Sequence, residues 1–246
     1  MATELVPTDE PPGDAPTGDG FRLTDVVPWG RCRAEYLSFF DLLDLAPGPR
    51  LLDAAGGPSS FNAEMTDLGF DVVSTDPLYG VSKPAIKGSI ELTRPQIMAR
   101  VRAARERFVW DAIGTPEALE AMRLSAMKLF LEDFEDGLAE ERYVDASLPD
   151  LPFDDGAFDV ALCSHFLFTY SDHRDLDFHL AACRDLIRLA PEVRIFPLLN
   201  MDGGESVHLE PVLNALRRDG LAVEVRRVGY EFQRGGDRML RVTRGA

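Results

Sequence analysis

The 246-residue chain carries 42 acidic against 26 basic side chains, a net charge of −16. That balance repels phosphate backbones and argues against a nucleic-acid partner. Its 45% hydrophobic content suits one buried core, or a core with a small cap. No apolar run approaches the roughly 20 residues of a membrane span, so no membrane partner is expected. Cys32, Cys163 and Cys183 are odd in number and lack metal-ligand spacing, which predicts reduced core residues and no structural metal.

Residues 1–20 are rich in acids, Pro and Gly and read as a tail that does not order itself. The chain starts with acids and prolines where a secretory leader needs a basic start and an apolar run, which predicts a cytoplasmic protein. Residues 21–246 form one domain. Lysine occurs only at Lys83, Lys87 and Lys128. The excess of acid reads as a solvated surface, with a salt-loving host as the alternative. Nothing marks an oligomer interface.

From Ala34 to Leu45 the apolar residues Tyr36, Leu37, Phe39, Phe40, Leu43 and Leu45 predict an amphipathic helix, stopped by Pro47-Gly48-Pro49. A strand (Arg50–Asp53), a glycine-containing turn, a helix from about Ser60 to Leu68 and a second strand (Asp71–Thr75) follow. This order opens a doubly wound α/β sheet. Residues 80–141 then interrupt it. Thr93 and Pro95 begin one helical pattern and Thr115-Pro116 another, since Pro is favoured just inside a helix start. So long a helical stretch predicts an insertion that caps the sheet edge.

The alternation resumes with a strand end at Tyr143–Asp145 and a buried strand at Phe158–Cys163. A helix striped by Leu176, Leu180, Cys183 and Ile187 leads to a strand at Glu192–Leu199. A helix (Pro211–Arg218), a strand (Ala222–Val228) and a closing antiparallel strand at Met239–Val242 complete the α/β fold. The expectation is a doubly wound, mostly parallel, seven-stranded Rossmann-like sheet with a helical insertion.

Ligands of such sheets bind outside the carboxyl ends of the strands, where strand order reverses. The first turn, in RLLDAAGGPSSF, fits D-x-G-x-G-x-G only at Gly57, with Ala55 and Ser59 at the outer glycine positions. Ala55 is acceptable there if its φ is negative, and Ser59 offers a hydroxyl. Asp76, about 19 residues beyond Gly57, is placed to accept from the hydroxyls of an adenosine ribose; alternatively it caps the turn at Pro77. Asp145 and the N–H of Ala146 suit an adenine edge.

Together these features resemble the class I S-adenosylmethionine-dependent methyltransferases. The resemblance spans about Arg50 to Leu199 with a final strand pair, and is most specific in LPFDDGAFDVALCSHFLF. VPWGR (Val27–Arg31), GGPSSFN and SHFLFTYSD are similar to a sparsely characterised branch of methyltransferase-domain proteins. The likeness implies S-adenosylmethionine as cofactor. Its methionine end would lie at Asp53, Ala55, Gly56, Gly57 and Ser59, its ribose at Asp76 and Pro77, and its adenine at Asp145 and Ala146. Ser164 would stand beside the reacting sulfonium. The Pro-Gly-Gly turn common before the fifth strand is absent from LIRLAPEVRIF.

Arg31 is a candidate for the cofactor carboxylate, or else a surface ion pair. His165 is a candidate base, with Tyr170, Asp172 and His173 following in the same loop. His179 and His208 receive no role. Phe108, Trp110 and Phe130 either wall the acceptor pocket or pack in the core. SHFLF lacks the Asn-Pro-Pro-Tyr type motif of base-amino methylation, which points to a small-molecule acceptor. Two rivals stand: a binding or regulatory protein that kept the fold, and a nicotinamide-dependent oxidoreductase, whose G-x-G-x-x-G turn is missing.

Overall fold

The computed structural model describes residues 29–245. The expected tail at 1–20, and Val27 and Pro28 of VPWGR, lie outside the described residues. The chain runs α1 (Arg33–Phe39), β1 (Arg50–Ala54), α2 (Phe61–Thr66), β2 (Asp71–Thr75), α3 (Lys83–Ala103), α4 (Pro116–Ala139) and β3 (Tyr143–Val144). Then come β4 (Val160–Ser164), α5 (Leu176–Leu189), β5 (Glu192–Phe196), α6 (Leu209–Arg218), β6 (Ala222–Arg227) and β7 (Arg238–Thr243). Short 3-10 turns occupy Pro77–Gly80 and Arg105–Arg107.

The seven strands form one sheet in the order β3-β2-β1-β4-β5-β7-β6. All pairs are parallel except those of β7, which is antiparallel to both neighbours. This is the predicted mostly parallel, doubly wound sheet. Strand order reverses between β1 and β4, and that reversal creates a crevice beyond their carboxyl ends.

Side-chain alternation sorts the core into two faces. Leu51, Val72, Leu162 and Met239 pack with Tyr36, Phe39, Phe61 and Met65 of α1 and α2. Leu52, Val73, Ala161 and Val193 pack with Leu186 of α5 and Val212 of α6. Cys163 and Cys183 are buried and Cys32 half-buried, all three without a disulfide. Among the described residues no helix is long and apolar enough to cross a membrane. None of their His, Cys, Asp and Glu side chains gather into a metal-sized group.

The first helix of the insertion begins at Lys83, ten residues before the expected start. Ser82 is its N-cap residue, and the proline of the first turn is Pro84. Pro95 lies inside α3, where the Thr93 hydroxyl donates back to the Ser89 carbonyl at 2.8 Å. The start of α4 is as predicted, with Thr115 Oγ1 accepting from the Ala118 N–H at 3.1 Å.

The insertion does more than cap an edge. α4 packs on α2, α3 and the edge strand β3. Beyond α3, the Val109 N–H donates to the Phe232 carbonyl at 2.7 Å, and the Arg234 N–H to the Arg107 carbonyl at 2.9 Å. The insertion therefore reaches from β3 to the β6–β7 connection, across the open ends of the strands. Arg123 of α4 fixes it there. Its guanidinium is fully buried and forms a two-pronged pair with Glu35 of α1, whose Oε1 also accepts from the Tyr230 hydroxyl at 2.8 Å.

Candidate functional site

A cavity of about 1180 Å³ opens at the reversal point, above the ends of β1, β2 and β4 and beneath the insertion. Pockets for a single small ligand span roughly 300–1,000 Å³, so this one has room for a cofactor with a second small molecule. Its inner wall is the turn after β1. Gly56 is required by close approach, because a Cβ there would meet Asp53 Oδ2 at 2.4 Å. Gly57 has φ 56°, the left-handed region in which only glycine is free of strain.

Ala55 departs from expectation. It too lies in the left-handed region, at φ 57°, so the condition of a negative φ is not met. The conformation costs an alanine roughly 1–2 kcal/mol. Neighbouring contacts hold it: the Gly56 N–H donates to the Thr75 carbonyl at 3.1 Å, and the Tyr79 hydroxyl to the Gly57 carbonyl at 2.9 Å.

Asp76 takes the capping role weighed for it and lines the cavity as well. Its Oδ1 accepts from the Leu78 N–H at 2.8 Å, capping the turn at Pro77, and its Oδ2 accepts from the Gly57 N–H at 3.0 Å. A carboxylate has about four acceptor positions, so it retains capacity toward the cavity it lines. Burial pushes its pKa up to about 6, with the charge of Asp145 adding and the two N–H bonds opposing. Pro77, Asp145 and Ala146 line the same wall.

Two predicted residues lie behind the wall. Asp53 shares a face with Leu51, so its side chain points under the turn toward α1. It accepts there from the Tyr36 and Ser74 hydroxyls, each at 3.0 Å. Burial raises its pKa to about 7, although both hydrogen bonds act to lower it. Ser59 is occupied as well. Its hydroxyl donates to the Arg31 carbonyl at 2.7 Å and accepts from the Phe61 N–H at 3.1 Å, which anchors the strand-like segment before α1.

That anchored segment aims Arg31 into the cavity. The guanidinium donates to the Trp29 carbonyl at 2.9 Å. Its Nε is enclosed with no hydrogen-bond partner among the described residues, and no carboxylate lies within ion-pair distance of it. Burial lowers its pKa to about 10, helped by the charge of Arg123 and resisted by Glu35. Glu35 would be raised by burial, but Arg123 and Arg31 hold it ionised at about 2. The cluster thus has two guanidinium groups against one carboxylate.

At the end of β4, Ser164 Oγ lies 2.9 Å from His165 Nδ1. His165 also has positive φ, 51°, as do Asp41, Glu141 and, in the cavity wall, Asp150. Its imidazole stands edge-on to Phe39 and Phe196 with centroids 5.4 Å away. Burial, with Arg31 and Arg123 nearby, keeps it neutral. Tyr170 lines the cavity. His173 and Asp172 do not: Ser171 is tied to the Phe168 carbonyl and to Ser206, and the two residues are exposed before the chain returns to the cavity at Arg174. Phe108 lines the cavity, Trp110 packs on Phe232 and Phe108, and Phe130 packs with Tyr79 and Phe134.

The sequence reading missed Tyr36, Arg100, Thr169 and Arg174 in the cavity wall. Tyr36 stood in a core stripe, Thr169 lies within SHFLFTYSD without being singled out, and Arg100 and Arg174 carry no motif.

No family model matches the chain. The uncharacterized protein MJ0045 of Methanocaldococcus jannaschii is 29% identical over 223 residues, 90% of this chain and 98% of its own. Among solved structures, the magnesium protoporphyrin IX methyltransferase (ChlM) of Synechocystis PCC 6803, with bound SAM, aligns with 87% of this chain and 78% of its own. The identity is 13% and the TM-score 0.47. A structure described as a putative S-adenosyl-L-methionine-dependent methyltransferase from Methanococcus maripaludis aligns with 87% and 84%, at 10% identity and a TM-score of 0.45.

Two substitutions test the geometry of the turn. Ala55→Gly relieves the left-handed alanine and is expected to stabilise the protein by about 1 kcal/mol, raising Tm by roughly 2–4 °C. An unchanged or lower Tm would show that the alanine is not strained. Asp53 is protonated more readily folded than unfolded, so its contribution is complete below about pH 4 and is lost as pH rises through about 7. Urea unfolding should therefore show wild type losing on the order of 2 kcal/mol more than Asp53→Asn between pH 5 and pH 8. Parallel pH profiles would place the raised pKa elsewhere.

Proposed function

We propose that the chain binds S-adenosylmethionine in this cavity and transfers its methyl group to a small-molecule acceptor. The observation that carries the reading is Arg31. It is a half-buried guanidinium at the β1 turn that lines the cavity with no carboxylate in ion-pair distance among the described residues, and an anionic ligand group would complete it. The seven-stranded sheet with its final antiparallel strand is the one the family resemblance implies.

The residues present fit the cofactor. Arg31 matches an amino-acid carboxylate as a planar donor fork. Gly57 leaves the cavity open beside it, since a Cβ there would meet nothing nearer than Asp76 Oδ2 at 3.9 Å. Asp76 can accept from a ribose diol, while Asp145 and Ala146 stand where an adenine edge would be read. When bound, the cofactor supplies an electrophilic methyl group on a sulfonium. The chain's own contribution is to position the reactants. His165, held at Nδ1 by Ser164, stays neutral because burial and the two guanidinium groups disfavour its protonated form, so it serves as a hydrogen-bonding group and the proton the acceptor loses passes to solvent.

Isothermal titration calorimetry with S-adenosylmethionine, S-adenosylhomocysteine and NAD tests this reading. Both sulfur nucleotides are expected to bind, and Arg31→Gln should weaken them about 10- to 100-fold, the worth of a charged hydrogen bond. Binding of NAD with no response to either sulfur nucleotide would sink the proposal.

A further inference from the structure

The charges lining the cavity are sorted. Its acidic residues Asp76, Asp145 and Asp150 follow β2 and β3, the side assigned to the ribose and adenine. The other side is made by the last turns of α3, the loop after β4 and the segment after β5. Ile97, Val101, Phe166, Phe178 and Met201 make it apolar, and Arg100, Arg107 and Arg174 supply its charge. The one acid lining that side among the described residues is Asp202, 3.9 Å from Arg107.

Of the three arginines on this wall, Arg100 and Arg174 have no carboxylate within ion-pair distance among the described residues, although Asp172 and Asp175 flank Arg174 in sequence. Arg102, two residues along α3, pairs with Glu117 at 3.2 Å and Glu120 at 3.6 Å. Arg100 faces the cavity and has no carboxylate within ion-pair distance among the described residues. A position in the last turn of α3 complements the helix dipole and accounts for an arginine there. It does not account for Arg174, which precedes α5. The Arg174 guanidinium lies over the Phe178 ring, 4.9 Å from its centroid. Stacking on a ring face does not use the in-plane N–H donors of a guanidinium. Nearby in the chain, Thr169 Oγ1 is enclosed with no hydrogen-bond partner among the described residues.

From this arrangement we infer that the methyl acceptor is an apolar molecule bearing one anionic group, such as a carboxylate, and that Arg100 and Arg174 receive that group. The inference rests on the methyl-transfer reading for the word acceptor; the preference for an apolar anion rests on the wall alone. Two guanidinium groups on an apolar wall focus potential on a charged ligand, and the aromatic residues take its body.

The test pairs two fluorophores of nearly the same shape: the anion 1-anilinonaphthalene-8-sulfonate and the neutral N-phenyl-1-naphthylamine. Wild type is expected to bind the anion at least about tenfold more tightly. The double variant Arg100→Gln/Arg174→Gln should lose about tenfold or more for the anion and change less than about twofold for the neutral probe. Arg217→Gln/Arg218→Gln, on the far end of α6, should change neither. Equal affinities in wild type, no loss in the cavity variant, or the same loss in the α6 variant would each overturn the inference. Calorimetry with S-adenosylhomocysteine on the same samples separates the two layers. If that ligand fails to bind wild type while the probe contrast holds, the cofactor reading falls and an apolar-anion site stands.

Discussion

The buried pair between Glu35 and Arg123 sets the position of everything around the cavity. Glu35 belongs to α1, Arg123 to the insertion, and Tyr230, which donates to the same carboxylate, to the β6–β7 connection. Burying two ions costs several kcal/mol each, and only close two-pronged geometry with further donors offsets it. Here the Cys32 N–H adds one such donor at 3.1 Å. Removing either partner would strand a buried charge, at a cost of about 3–5 kcal/mol. Three segments distant in sequence are therefore held as a unit, and among the described residues Arg31 beside it has no carboxylate within ion-pair distance.

Of the five non-glycine residues at positive φ among the described residues, Ala55, Asp150 and His165 line the cavity, while Asp41 and Glu141 lie outside it. Ala55 and His165 stand at the ends of the adjacent strands β1 and β4. Such conformations persist only where surrounding contacts over-determine them, and they gather at functional sites. The carboxyls beneath and beside the turn add to the picture: Asp53 and Asp76 are both held above the ordinary carboxylate range by burial. The turn is thus rigid, desolvated and electrostatically loaded, as a pre-arranged binding surface requires.

Much of this was legible in the sequence. The strands were readable because each is a short apolar run ended by a turn former, and Asp76 because an acid nineteen residues past the glycine sits at a second strand end. Other features were not. Asp53 appeared to face the ligand, but strand alternation turns it toward Tyr36. Ser59 appeared to be a cofactor donor, but it is consumed by the Arg31 carbonyl. Pro95 looked like a helix start because the Ser82-Lys83-Pro84 start was overlooked. His173 followed the motif in sequence, yet the buried Ser171 turns the chain outward before it. The roles of Arg123, Arg100 and Arg174 depend on contacts between elements far apart in the chain, which no local pattern encodes.

The account stands or falls on what occupies the turn after β1. A crystal structure grown with S-adenosylhomocysteine tests it most directly. The account predicts the carboxylate of the ligand against the Arg31 guanidinium, its ribose diol on Asp76 and its adenine beside Asp145 and Ala146. A ligand bound with its carboxylate away from Arg31, or a cavity that stays empty at saturating ligand, would contradict it.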